Sequence, residues 1–248
     1  MIKCTYTNTA KSKVEIIEHI KNRKFANPSF KVIDIGGGVN GWTKDIADLV
    51  VDINVEDTDK TLKADICNEL DYEKILSYVK ANGIFDYCIC THTLEDLYNP
   101  FPALKNMPKF ALGGVITMPS MTDELSPVQN LAWNGYFHHR WMYEYLDESI
   151  LIIPKIYGIE AFISSKMSKN KGSEIKYEWE GSIPYLIFMD NYLGPDISTF
   201  QNELQKIIGR LNSNSRGKYK FKNVHTRPRR YLMRLIRFFK MLFGINLK

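Results

Sequence analysis

Three carboxylates and a run of glycines stand out between residues 34 and 65: Asp34, then Gly36-x-Gly38-x-x-Gly41, then Asp52 and Asp65. Glycine lets a backbone approach a ligand where a Cβ would collide. A carboxylate at the end of the next strand can accept hydrogen bonds from ribose hydroxyls. Read literally, the glycines satisfy the dinucleotide fingerprint, a weak signal when it stands alone. Two details oppose a dinucleotide. In that fingerprint the ribose carboxylate lies about 20 residues beyond the glycine turn, whereas Asp52 comes 11 residues after Gly41. Asp34 precedes the first glycine by two residues, and a carboxylate there repels a pyrophosphate but suits a cation carrying an ammonium group.

A second group of chemistry-bearing residues lies downstream. The chain has five histidines. His92 ends the apolar run that starts at Phe85, and His138 and His139 fall in Gly135–Trp141. Together with Arg140 and Trp141 they combine a base tunable near neutrality, a cation for a hydroxyl-rich or acidic ligand, and a flat apolar face of the kind that stacks on a sugar ring. His139, His138 and His92 are therefore the candidate bases, and Glu95, Asp96, Arg140 and Trp141 the candidate acceptor-binding residues. His92, Glu95, Asp96, Glu124 and the His pair would also suit a hard cation or zinc. No fixed ligand spacing is visible, so a divalent metal is not assigned from sequence.

These residues need a scaffold that brings residue 34 to residue 139. Strands are expected near 31–35, 49–53, 62–65, 85–91 and 113–118, and helices near 10–24, 42–48, 70–81 and 99–109, with a further helical stretch over 93–100. Phe85–His92 is nearly all apolar, as in a strand buried on both faces of a parallel sheet. Strands alternating with helices imply a doubly wound α/β fold. Two later strands, from Ile175 and from Pro184, are expected to complete a seven-stranded, mostly parallel sheet with an antiparallel edge. Residues 121–150 read as a helical cap over the carboxyl ends of the strands.

With these elements in order, residues 30–120 resemble the class I, Rossmann-like methyltransferases that use S-adenosylmethionine (SAM), and among them the methyltransferase type 11 group. The resemblance implies SAM as cofactor, held by Asp34, Gly36, Gly37 and Gly38 in the first loop, Asp52 and Ile53 after the second strand, Asp65 and Ile66 after the third, and Thr91 and His92 after the fourth. One departure is Asn40 where the family has its third glycine. Asn tolerates a left-handed backbone, so the turn is expected to form. The Asn/Asp-Pro-Pro-Tyr tetrapeptide of amino-methyltransferases is absent after the fourth strand, where the chain reads Cys90-Thr-His-Thr93. The expected activity is O-methylation of a sugar or glycan hydroxyl. The alternatives are methylation of a lipid or other small molecule, or a SAM-binding interaction module without turnover.

Charge divides the chain. Residues 1–203 hold 20 Lys and Arg against 28 Asp and Glu, while residues 204–248 hold 13 basic side chains and no acidic one. A methyltransferase domain over 1–203 and a basic tail over 204–248 are expected, and the acidic body argues against a nucleic-acid groove. Within the tail, 228–243 has Pro228 near a helix start, Gly244 at its end, Arg230, Arg234 and Arg237 at helical spacing and apolar residues between. That is the pattern of a helix lying on an anionic membrane. The alternative is a helix docked on the body or on a second copy of the chain, a homodimer. No apolar stretch is long enough to span a bilayer, residues 1–8 lack the apolar core of a secretory signal, and the four cysteines show no metal spacing. The expected location is cytoplasmic, peripheral at a membrane.

Overall fold

The computed structural model describes residues 2–129, 133–156, 159, 162–165, 174–188, 197–214 and 219–221. In chain order the elements are β1 (Ile2–Thr7), α1 (Thr9–Ala26), β2 (Val32–Ile35), β3 (Leu49–Asp52), β4 (Thr61–Lys63), α2 (Tyr72–Asn82), β5 (Tyr87–Thr91), α3 (Phe101–Phe110), β6 (Gly113–Pro119), α4 (Met121–Glu124), β7 (Trp141–Leu146), β8 (Ser149–Pro154), β9 (Ile163–Ser165), β10 (Glu174–Glu180), β11 (Tyr185–Ile187), α5 (Ile197–Asn214) and β12 (Tyr219–Phe221). No helix of the described residues is long and apolar enough to cross a membrane. The segment 228–243 lies outside the described residues.

The main sheet has seven strands in the order β1-β10-β6-β5-β2-β3-β4. The five from β6 to β4 are parallel, and β10 is antiparallel to both β6 and β1. This is a mixed, Rossmann-like α/β sheet. Successive side chains on a strand face opposite ways, which sorts the core. Ile33, Ile35, Cys88, Cys90 and Ile116 face α2 and α3, packing on Tyr72, Ile75, Leu104 and Met107. Val32, Ile89 and Val115 face the other way, onto Ile16 and Ile20 of α1. By the same alternation the Asp34 side chain falls on the α1 side.

Several expectations are corrected here. The seventh strand is the N-terminal segment Ile2–Thr7, whereas Tyr185–Ile187 joins a separate three-stranded sheet, β11-β8-β7. Residues 42–48 form turns instead of a helix, with Ile46 and Ala47 N–H groups both donating to the Thr43 carbonyl. Residues 93–100 are likewise irregular. Among the described residues, the 121–150 region holds one short helix, α4, and then the start of the β7–β8 hairpin. One face of that hairpin, with Tyr143, Ile150 and Ile152, seals the main core. The other face, with Met142, Leu151 and Ile153, forms a second core with Phe200, Leu204, Ile208 and Leu211 of α5 and with Tyr219. Helix α5 thus runs through residue 203, where composition alone drew a boundary.

Candidate functional site

Strand order reverses between β2 and β5, and ligands of open α/β sheets bind outside the carboxyl ends of the strands at that point. A cleft of about 270 Å³ lies there, lined by Gly36, Val51, Asp52, Ile53, Asn54, Ala64, Asp65, Ile66, His92, Thr93, Asp96 and Leu97. Seven of the sequence-selected residues meet in it: Gly36, Asp52, Ile53, Asp65, Ile66, His92 and Asp96. Asp52 ends β3 and its Oδ1 accepts from the Asn54 N–H at 2.7 Å. Asp65 follows β4 and its Oδ1 accepts from the Cys67 N–H at 2.9 Å. Both carboxylates are oriented by backbone donors at strand ends. Gly36 turns the chain at φ +80, with its N–H on the Val51 carbonyl at 2.8 Å. A side chain there would be strained in conformation and would overlap Thr93. Thr93, Asn54 and Leu97 were not singled out from sequence, because turn residues between elements carry no periodic signal.

The rest of the first loop sits differently. Asp34 is buried and accepts from the Thr43 hydroxyl. Its carboxylate underlies Gly37, where a Cβ would collide with it. Burial pushes its pKa up to about 6, against the lowering effect of Thr43. Asp34 therefore braces the loop from the α1 side and does not line the cleft, a correction to a direct ligand role. Gly37 is half-buried and Gly38 exposed, neither among the cleft residues. Thr91 also lies outside the cleft lining, its carbonyl taking the Thr93 hydroxyl at 3.1 Å. Asn40 does not adopt the left-handed backbone allowed for it, since Gly36 is the one residue of this loop with positive φ.

His92 has φ +50, uncommon for a residue with a side chain. Its Nε2 meets Glu174 of β10 at 2.5 Å and its Nδ1 meets Glu95 at 3.3 Å. Burial opposes its charge, but the hydrogen bonds to Glu174 and Glu95 outweigh that and hold its pKa at about 9. An imidazolium with both nitrogens occupied cannot accept a proton, so the base role expected of His92 is not supported by its surroundings. Glu95 is buried as the counter-ion of His92, and beyond that ion-pair contact neither of its oxygens has a hydrogen-bond partner among the described residues. It faces His92 and not an acceptor. Trp141 donates its indole N–H to the Leu97 carbonyl at 2.7 Å and packs edge-on against Phe101. It is a structural side chain, unlike the stacking face expected. Arg140 is exposed.

At the Asp96 end the His pair converges. Asp96 Oδ1 lies 3.6 Å from His138 Nε2 and 3.7 Å from His139 Nε2. His139 is 9% exposed, its ring stacks on Tyr136 at 4.5 Å, and its Nδ1 meets Glu124 at 2.6 Å. Glu124 is buried in turn and held by Lys155 Nζ at 2.7 Å, which also donates to the Tyr136 carbonyl. Just outside, the exposed rings of Trp133 and Phe137 lie 5.5 Å apart. Of the pair, His138 is open to solvent and His139 is fixed.

Fold and cleft together define a Rossmann-like α/β protein with a carboxylate-rich ligand site at the switch point. No protein-family model matches the chain, so membership of the type 11 group is not shown, and no curated protein matches it in sequence. Solved structures overlap it in part, among them two of one domain. The N-terminal domain of EvdMO1 with SAH bound shares 11% identity at a TM-score of 0.32, covering 65% of this chain and 78% of that one. The same domain in the presence of SAH and D-fucose shares 11% identity at a TM-score of 0.30, covering 66% and 81%. Likeness at that level carries no weight for function, which rests on the site itself.

Proposed function

We propose that this chain is a SAM-dependent methyltransferase acting on a hydroxyl of a sugar or glycan. The observation that carries the reading is the charge of the cleft. Among the described residues that line it, Asp52, Asp65 and Asp96 are carboxylates, none is Lys or Arg, and the one cation, His92, is already paired with Glu174 and Glu95. Such a wall repels the pyrophosphate of a dinucleotide and attracts a ligand bearing a positive charge. The residues fit SAM. Asp52 would hold the ribose hydroxyls, Ile53, Ile66 and Leu97 would flank the adenine, and Gly36 would let the chain approach the methionine end. SAM supplies a methyl group on a sulfonium, and the protein's part is chiefly to position an acceptor oxygen in line with it. Asp96, His138 and His139 are the polar groups that would engage that oxygen, with Trp133 and Phe137 beside them as a face for a sugar ring.

Calorimetry on the full chain tests this. S-adenosylhomocysteine should bind, NAD should not, and Asp52→Ala should weaken binding by about 10- to 100-fold, the loss of hydrogen bonds to a charged group. Methyl transfer from labelled SAM to a panel of sugars, lipids and amines then identifies the acceptor. Tight NAD binding without S-adenosylhomocysteine binding sinks the reading, and transfer only to amines or lipids sinks its acceptor half.

A further inference from the structure

The cluster at the acceptor end has a geometry that hydrogen bonding alone does not explain. Asp96 and the two histidines each offer one ligand atom, and those three atoms all lie within 4.8 Å of one another. An ion bonded tetrahedrally at about 2.1 Å sets neighbouring ligand atoms about 3.4 Å apart. The two measured separations, 3.6 and 3.7 Å, need to close by well under 1 Å. Asp96 and His138 are exposed side chains free to make that movement. His139 is not free, and the way it is held is informative. Its Nδ1 lies 2.6 Å from Glu124, and in the neutral imidazole an N–H donated there leaves the Nε2 lone pair facing Asp96. Histidines that ligate metals are commonly oriented by such a carboxylate, which sets the tautomer and raises the basicity of the ligating nitrogen. Glu124 is itself immobilised by Lys155, and Gly135 packs so closely on Glu124 that a Cβ would collide with it.

We propose that Asp96, His138 and His139 form a binding site for a divalent first-row transition ion of the zinc type, with Glu124 as the positioning residue of His139. Two imidazoles and one carboxylate are a donor set suited to such an ion. Three protein ligands leave further positions open for oxygen atoms. Because Asp96 also lines the cleft, the ion would sit where cofactor and acceptor meet. Its service as the anchor for an acceptor hydroxyl rests on the methyltransferase reading above, whereas the binding site itself does not.

The experiment uses the full chain stripped with a chelator and then titrated with Zn²⁺ by calorimetry, and with Co²⁺ by visible absorption. One ion per chain is expected, with Co²⁺ bands typical of nitrogen and oxygen ligation. His139→Ala, His138→Ala and Asp96→Asn should each weaken binding by at least about tenfold, and Glu124→Gln by about 10- to 100-fold while all three ligands remain. Far-ultraviolet circular dichroism and melting of His139→Ala and His138→Ala serve as the folding control. Absence of ion binding to the wild-type chain overturns the proposal. So does unchanged binding in the His139 variant, or a thiolate-to-Co²⁺ band. If the ion binds as expected but S-adenosylhomocysteine does not, the cofactor reading fails and the metal site stands.

Discussion

His92 shows how a residue chosen for one chemistry is committed to another. Its position after β5 fits a base beside the cofactor, yet Glu174 and Glu95 occupy both ring nitrogens. A folded pKa of about 9 against an ordinary 6.5 means the native state favours the proton. The associated stability is fully present below pH 6.5 and is lost as pH rises through 9. The shift sets a ceiling on the order of 3 kcal/mol. Urea unfolding between pH 7 and 9.5 should show the wild-type midpoint falling, whereas His92→Gln should be weaker at pH 7 and flatter across that window. An equal alkaline slope in both would show that the pairing contributes nothing. Asp34 is the opposite kind of group, an acid whose ionisation burial opposes, so it acts below about pH 6 and does not blur the test. Its spacing to the glycines was readable in the sequence. Its direction was not, because that follows from the pleat of β2 and the Thr43 hydroxyl on the α1 side.

Elements explain which parts of the sheet could be foreseen. Four of the five parallel strands are largely apolar runs bounded by turns, the exception being β4 with Thr61, Leu62 and Lys63. β1 reads in sequence as a short polar stretch, since Lys3, Thr5 and Thr7 alternate with Cys4 and Tyr6. It becomes a strand because β10 offers it an edge, pairing from Ile2 with Trp179 to Thr7 with Glu174. The same strand brings the Tyr6 hydroxyl to Glu144 of β7, and Tyr219 of β12 donates to that carboxylate from the other side. Burial holds Glu144 above the usual carboxylate range even with both donors in place. Tyr6→Phe should therefore cost about 1–3 kcal/mol, the penalty of a buried acceptor losing a partner, read as a lower urea midpoint with an unchanged slope. A shift within error would mean that Tyr219 and the Tyr145 N–H, which donates at 3.0 Å to the same oxygen as Tyr6, satisfy Glu144 without Tyr6.

At the scale of the molecule, charge and packing divide the chain at different places. Charge changes sign after Glu203, but Leu204, Ile208, Leu211 and Tyr219 lie in the second core against the β7–β8 hairpin. A chain ending at residue 203 would expose the outer face of that hairpin. It should aggregate or melt well below a chain ending at 221, and Leu204→Ala in the full chain should cost about 2–5 kcal/mol. Equal melting of the two truncations would restore 203 as the structural boundary. The hairpin matters for the site because β7 begins two residues beyond His139 and Lys155 follows β8, so α5 supports the cluster through the hairpin.

From the sequence alone come the parallel sheet, the glycine turn and the strand-end carboxylates Asp52 and Asp65, because local periodicity and loop residues are properties of short segments. Tertiary structure alone decides that Asp34 braces where Asp52 lines the cleft, that His92 is a paired cation, that Trp141 is packing, and that Asp96 meets residues 138 and 139. Those outcomes depend on which side chains distant segments bring within a few ångströms, and on burial deciding which charges persist. Neither quantity is written in the spacing of residues along the chain.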